Sequence, residues 1–540
     1  MRSIPWRKLF FLGALAAPST LLRAGLPDGV FIEPPPAWVV PVTPADAGQP
    51  KLNPAGQDFL LLDRQINVAN GETYDRRAFQ IVSDEGRRNG GQVHINFDPS
   101  YQTLALHHLR VVRTGQIIDR LDPANVQLLQ QERDLDRQLY NGERSVLVIL
   151  QDLRVGDVID LAYTARGRNP VFARQFIDVQ PLGWGVPVRE LRCRVLTPVE
   201  RVIHHQIRGE ARPEFTDRTT AHGRELLWIC RNLPALDADD HTPSWHVVYP
   251  FLELTEFASW PQVVAWALPL YSLESEPTSQ LAETVRQIAR TATSTDTRIV
   301  AALRFVQAEI RYLGIELGAG SHRPSTPEEV LQRRFGDCKD KARLLTAILR
   351  HLGIDAAPAL VHSSRRHTVN DWLPSPFAFD HVVVTVDTPG RRLILDPTLV
   401  YQLGATPELR HLGGYGPYLR IAPDTQTLLT PQTGPSDLNF IEVRETFRVT
   451  DLQQPAELTV ATTYRGAAAN QIRGWFATNS MEQVRRQYVD FYTRYYPGLE
   501  SISATLSKMD DDAQNLVEVT EHYRIPHLFV TPAAGTIRKA

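Results

Sequence analysis

Apolar and polar side chains alternate in short runs through the first 235 residues. Residues 59–68, 92–97, 103–112, 144–150, 158–165, 191–196 and 224–230 each read as a short β-like run, and Gly115, Gly142, Gly156 and Gly167 stand at the breaks. Short strands at this spacing predict an antiparallel β-sandwich over 25–235. Ahead of it, Glu33-Pro34-Pro35-Pro36-Ala37-Trp38 reads as a stiff, extended leader. Residues 236–280 read as a connector. Its aromatics, among them Trp245, Phe257, Trp260 and Trp266, either pack one domain on another or line a groove.

After residue 281 the period becomes helical. Ile299, Leu303, Val306, Ile310 and Leu313 form one stripe, and Thr326-Pro327-Glu328-Glu329 is a capping box that opens a short helix towards Arg333. The loop 314–323 between them is a candidate lip for a cleft, and the loop 363–376 a candidate cover. In Arg334-Phe335-Gly336-Asp337-Cys338-Lys339-Asp340-Lys341-Ala342, Gly336 permits a tight turn and Asp337 suits an N-cap. Ala342, Leu345, Leu349 and Leu352 follow at helical spacing, with Gly353 at C′. This puts Cys338 in the first turn on the core-facing stripe, with Lys339, Lys341 and Arg343 pointing elsewhere. Residues 379–386 and 391–396 read as a hairpin about Thr388-Pro389-Gly390, stopped by Pro397. Such a hairpin brings His381 and Asp396 opposite or diagonal to each other. From 436 to 540 the character is β-rich again (440–449, 456–464, 501–508, 516–523), with a helix over 480–496. The fold class is therefore α+β, its mixed core at 281–435 flanked by β-rich regions.

With 540 residues and 43% hydrophobic content, the chain is too long for one ordinary core. A net charge of −3 gives no electrostatic footprint for nucleic acid. Residues 1–24 have the form of a secretory signal: Arg2, Arg7 and Lys8, an apolar run over 9–17, then a small-residue exit at Ala24-Gly25. An uncleaved anchor is the alternative. No later run is long and apolar enough to span a bilayer, so the mature protein is expected in the periplasm or outside the cell, without an integral span and free to associate with the cell envelope. Of the three cysteines, Cys193 and Cys230 either pair, leaving Cys338 as a free thiol, or are unpaired core residues. No spacing calls for a metal or any other cofactor.

Cys338 at a helix start faces unpaired N–H groups and the positive end of the helix dipole, a setting that suits a nucleophilic sulfur. A small buried side chain is the plainer reading of it, as a surface histidine is of His381. Gly336-Asp337-Cys338-Lys339-Asp340-Lys341-Ala342, then Phe379-Asp380-His381-Val382, then Leu395-Asp396-Pro397-Thr398, together resemble the bacterial transglutaminase-like superfamily. That resemblance implies a papain-like core with Cys338 as nucleophile, His381 as base and acid, and Asp396 as the orienting group. It further implies attack on amide bonds of a protein or peptide through a thioester, by a hydrolase (peptidase or amidase) or a crosslinking acyltransferase. Members without activity also occur, so a scaffold that only retains the fold is the competing expectation. Oxyanion donors are sought in the Cys338 backbone N–H, Gln332 and Tyr312. The N-terminal region, most clearly at Leu153-Arg154-Val155-Gly156-Asp157-Val158-Ile159, resembles an uncharacterised β-rich domain that precedes such cores.

Overall fold

The alternating runs become strands in a computed structural model that describes residues 25–47, 52–130, 138–405, 415–432 and 439–529. The expected targeting segment lies outside these residues. The N-terminal region contains β1 (Val30–Ile32), β2 (Gln57–Asn67), β3 (Glu72–Ile81), α1 (Asp84–Gly90), β4 (Gln92–Phe97), β5 (Thr103–Arg113), β6 (Gln116–Asp119), β7 (Val126–Gln130), β8 (Leu139–Tyr140) and β9 (Arg144–Ile149). It continues with β10 (Val158–Arg166), β11 (Ile177–Pro181), β12 (Val188–Thr197), β13 (His204–Arg208), β14 (Glu214–Thr220), β15 (Gly223–Leu233) and β16 (Phe251–Thr255). Strands β1, β5, β10, β3, β2, β12, β15 and β14 lie side by side in that order, and β6 adds to β5.

The expected antiparallel sandwich is not what these strands build. The large sheet is mixed, with β1 parallel to β5 and β2 parallel to β12. Its facing layer is split into two three-stranded sheets, β4-β9-β7 and β11-β16-β13. Leu62 stands opposite both Arg77 and Leu191, and Arg77 stands opposite Leu161, so these side chains share one face. Leu161 packs into the cluster under the first small sheet and Leu191 into the cluster under the second. Alternation reports burial of one face, not strand direction; β2 and β12 are joined by no hairpin that would fix their sense.

The opposite face is polar, with ion pairs Arg76–Asp160 (2.8 Å) and Arg194–Glu225 (2.6 Å). Here the proline-rich leader is docked by its backbone. Gln65 accepts from the Val40 amide (3.0 Å) and donates to the Val40 carbonyl (2.7 Å), Arg76 donates to Val42 O (2.7 Å) and Arg194 to Trp38 O (3.0 Å). Cys193 lies opposite Trp228, and Cys230 opposite Leu191. Both are buried free thiols, whose ionisation burial makes harder.

The core follows with α2 (Trp260–Ala267), α3 (Ser279–Thr291), α4 (Thr295–Glu309), β17 (Arg311–Tyr312), β18 (Gly314–Ile315), α5 (Pro327–Arg333), β19 (Phe335–Gly336) and α6 (Cys338–His351). Then come β20 (Ala356–Val361), β21 (His381–Thr388), β22 (Arg391–Leu395) and β23 (Leu419–Arg420), an antiparallel sheet in the order β22-β21-β20-β23. Helix α6 is buried from Lys339 to Leu349, enclosed on every side. Its basic side chains therefore do not point away from the core as expected. Lys339 pairs with Asp337 and Glu316, Lys341 donates to Ile310 O (2.5 Å), and Arg343 donates to the carbonyls of Ser272, Pro324 and Ser325. Burial costs their charges most of their hydration, and these partners offset it.

The last unit holds β24 (Ile441–Arg448), β25 (Ala456–Arg465), α7 (Ala467–Thr478), α8 (Met481–Thr493), β26 (Glu500–Asp511) and β27 (Leu516–Ile525). Its sheet is antiparallel in the order β24-β25-β27-β26. Helix α7 was not expected from the sequence. Among the described residues no helix is long and apolar enough to cross a membrane.

Candidate active site

The start of α6 is held by a closed ring of polar contacts. Asp337 caps the helix, its Oδ1 accepting from the amides of Lys339 (3.1 Å) and Asp340 (3.2 Å). Asp340 returns the bond to the Asp337 amide and also takes Arg333 (2.6 Å) and the Ser325 amide (2.7 Å). Gly336 is needed for space rather than for a left-handed turn, because a Cβ there would sit 2.7 Å from Asp340 Cβ. The left-handed residue is Arg334, at φ +57°.

Opposite this helix start, His381 opens β21. Its Nε2–H donates to Oδ2 of Asp396 (3.0 Å), and the ring lines one cleft with Cys338, whose side chain helps to raise it. With Nε2 committed to the carboxylate, Nδ1 is the nitrogen left for the sulfur. Val384 stands opposite Leu395, so Asp396, one residue further, falls diagonally from His381. Of the two arrangements the hairpin allowed, the diagonal one is present.

Asp396 is wholly buried. Its Oδ2 also accepts from the Tyr415 hydroxyl (2.6 Å), and its Oδ1 accepts from the amide and hydroxyl of Thr398 (2.8 and 2.6 Å). Burial opposes its charge, but the His381 charge and these donors outweigh that and hold the carboxyl at about 2. Burial likewise opposes charge on His381, and Asp396 overcomes it, so the imidazole is raised well above its usual value. Tyr415 stacks on the His381 ring (5.8 Å, 30°), while Gln307 Nε2 holds the Asp396 carbonyl (3.0 Å). Sequence reasoning missed Tyr415, Thr398 and Gln307. Only Thr398, in the quoted Asp-Pro-Thr run, lay near a signal.

The cleft beside Cys338 has a volume of about 100 Å³ and is lined by Trp266, Tyr271, His322, Phe379 and His381, among others. His322 is pushed down to about 4, by burial first and by Lys339 second, and is a neutral ring at neutral pH. Tyr312 pairs in register with Gly336, and burial followed by the nearby Cys338 raises its hydroxyl. It stands on a short strand after α4 rather than on the helix, level with the residue two before Cys338, and is not among the residues that line the cleft. Gln332 is exposed on α5, bonded to Glu328 (3.1 Å), and does not line the cleft. Loop 314–323 does contribute to the lining, through Glu316, Ser321 and His322.

The family model of the transglutaminase-like superfamily matches residues 282–388. The chain carries a transglutaminase-like core. The model of a domain of unknown function with a solved structure, DUF3857, matches residues 68–237. The family match to the transglutaminase-like core ends short of Asp396. No curated protein matches the chain. Among solved structures, a proposed protease from Parabacteroides distasonis superposes with a TM-score of 0.59 at 14% identity, covering 87% of this chain and 93% of that one. This likeness extends the shared fold well beyond the core. A proposed cysteine protease from Cytophaga hutchinsonii (12% identity, 46% and 83% coverage) and the periplasmic domain of TgpA from Pseudomonas aeruginosa (14%, 54% and 88%) align at TM-scores of only 0.20 and 0.18.

Proposed function

We propose that this protein is a cysteine enzyme acting on amide bonds of protein or peptide substrates through a thioester, and that Cys338, His381 and Asp396 are its triad. The observation that carries the reading is the His381 ring, bonded to a buried, fully hydrogen-bonded carboxylate and lining one cleft with Cys338. His381 takes the thiol proton as the sulfur attacks the carbonyl carbon, and the oxyanion is met by the Cys338 backbone N–H, with Tyr312 as second donor. His381 gives its proton to the departing amine as the C–N bond breaks, leaving the thioester. Water or an amine then attacks, His381 takes its proton, and the sulfur departs. Water gives a peptidase or amidase, and a lysine amine gives a crosslink. Residues 1–24 support a periplasmic or secreted setting.

The test is alkylation of Cys338 by iodoacetamide in the wild type and in His381→Ala, followed by a screen of peptide and cell-wall amides with Cys338→Ala as control. Fast labelling that depends on His381, with amide cleavage or transfer lost in Cys338→Ala, supports the enzyme. Labelling indifferent to His381 favours the scaffold that merely retains the fold.

A further inference from the structure

The lining of the cleft is not supported by the core alone. Trp266 and His322 line it beside Cys338. Behind them sits Phe172, from a single helical turn (Pro170–Phe172) of the N-terminal domain. Its ring meets His322 edge-on at 4.8 Å, stacks on Trp266 at 5.7 Å and meets Phe377 edge-on at 5.7 Å. The neighbouring Val171 carbonyl accepts from Trp266 Nε1 (2.9 Å).

The lip is tied from the same side. Asn169 donates to Gly318 O and to Ser321 Oγ (2.9 Å each), and Ser321 Oγ lies 2.9 Å from Nδ1 of His322. The Gly318 amide donates to Asp98 (3.2 Å). β18 pairs in parallel with β8, the Gly314 amide reaching Gln138 O (2.9 Å) and the Glu316 amide Tyr140 O (2.8 Å). Gly314 admits this approach, since a Cβ there would lie 2.5 Å from the Leu139 side chain and 3.3 Å from Asp337 Cβ. Glu316 in turn pairs with Lys339, the residue after the nucleophile.

We propose that the N-terminal domain is a working part of the active site: it holds the lip and the aromatic wall of the acyl-binding cleft, with Phe172 as the positioning residue. This rests on the reading of Cys338 and His381 given above. The wall it backs, Trp266 and His322 with Phe379 in the same lining, selects an aromatic or apolar acyl group, since Glu316 and Lys339, which also line the cleft, pair with each other. Aromatic contacts of this kind are geometric as well as apolar, so loss of the Phe172 ring alters how the wall is set, not only how firmly.

The experiment compares two alkylating probes at Cys338 in the full chain, with the labelled site read by mass spectrometry. Iodoacetamide is small and senses only the sulfur–imidazole couple, whereas N-tosyl-phenylalanyl chloromethyl ketone must also seat an aromatic group. The ratio of the aromatic rate to the iodoacetamide rate is expected to fall about fivefold or more in Phe172→Ala. Phe172→Leu keeps most of the volume, so it carries the test if the alanine variant does not fold, and its ratio should fall as well. A ratio unchanged in Phe172→Leu overturns the proposal. Iodoacetamide labelling indifferent to His381→Ala instead overturns the enzyme reading, so the two failures are distinct.

Discussion

Two histidine–carboxylate pairs stand at the same end of the core sheet, and they behave oppositely. His381 opens β21 directly across from Val361, the last residue of β20, and His362 follows it. His381 meets Asp396, which is wholly buried and accepts four hydrogen bonds, and its ring is raised. His362 lies 3.4 Å from Asp380, whose side chain is 41% exposed and already bonded to Ser363. Nδ1 of His362 accepts from the amides of Ser364 and Arg365 (3.2 Å each), so it has no proton to offer Asp380. Burial first, and Arg365 second, push this ring down to about 4. Proximity of a carboxylate does not make a base. The carboxylate must be enclosed, saturated with donors and aligned with an N–H.

The widest gap between the pairs should appear in reactivity. Asp396→Asn is expected to slow iodoacetamide labelling of Cys338 at pH 7 by about a hundredfold or more, since the amide favours the wrong imidazole orientation. Asp380→Asn should change it by less than about threefold, because His362 is neutral at pH 7 and makes no charged pair with Asp380. Equal effects would erase the difference between the two pairs.

Tyr415→Phe sharpens it by removing one donor from Asp396 while keeping the ring on His381. A hydrogen bond to a buried charge contributes about 1.5–3 kcal/mol, so denaturant unfolding should register a loss of that order. No loss would mean that the hydroxyl is not needed to hold the carboxylate.

The pH dependence of stability separates the pairs by sign. Between pH 6.5 and about 4 the unfolded chain takes up a proton at His362 that the folded chain refuses, so stability falls as pH falls through that window. His362→Gln should flatten this slope, and His322, held near 4 mainly by burial, should retain part of it. Asp396, depressed to about 2, gives stability that is complete above its ordinary value of 3.8 and is lost as pH falls towards 2. His381, being raised, gives stability that is complete below pH 6.5 and is lost as pH climbs through its raised value. Melting temperatures from pH 2 to 9 for the wild type, His362→Gln and Asp396→Asn check all three statements.

The smallest effect expected is at Gln332, exposed and bonded only to its helix neighbour Glu328. Gln332→Ala should leave the labelling rate within about twofold, in keeping with a surface substitution. A large drop would reopen its candidacy as an oxyanion donor.

What could be read from the sequence was what local chemistry dictates. Helix α5 occupies the residues its capping box implied, and Asp337 and Gly353 close α6 where expected. The hairpin narrowed His381 and Asp396 to two geometries, one of which is present. Long-range facts were illegible. Lys339, Lys341 and Arg343 lie off the apolar stripe, and nothing local says that neighbours close over every side of α6. Tyr415 reaches Asp396 from across the sheet, and Phe172 reaches Trp266 from another domain. No periodicity encodes such meetings. Tyr312 was missed as a strand residue because the apolar stripe runs past the end of α4 at Glu309.

The two-residue ladder between β8 and β18 bears on the order in which the molecule assembles. It joins residues about 175 apart, so closing it costs more chain entropy than any hairpin, and two rungs return little until both partners are ordered. The N-terminal sheets emerge first during synthesis and fold as a unit, while the nucleophile's helix is still to come. The sulfur thus gains its lip and wall only at the final docking step. A chain halted before that step would carry Cys338 in a half-built site, reactive towards small electrophiles but without selection among acyl groups.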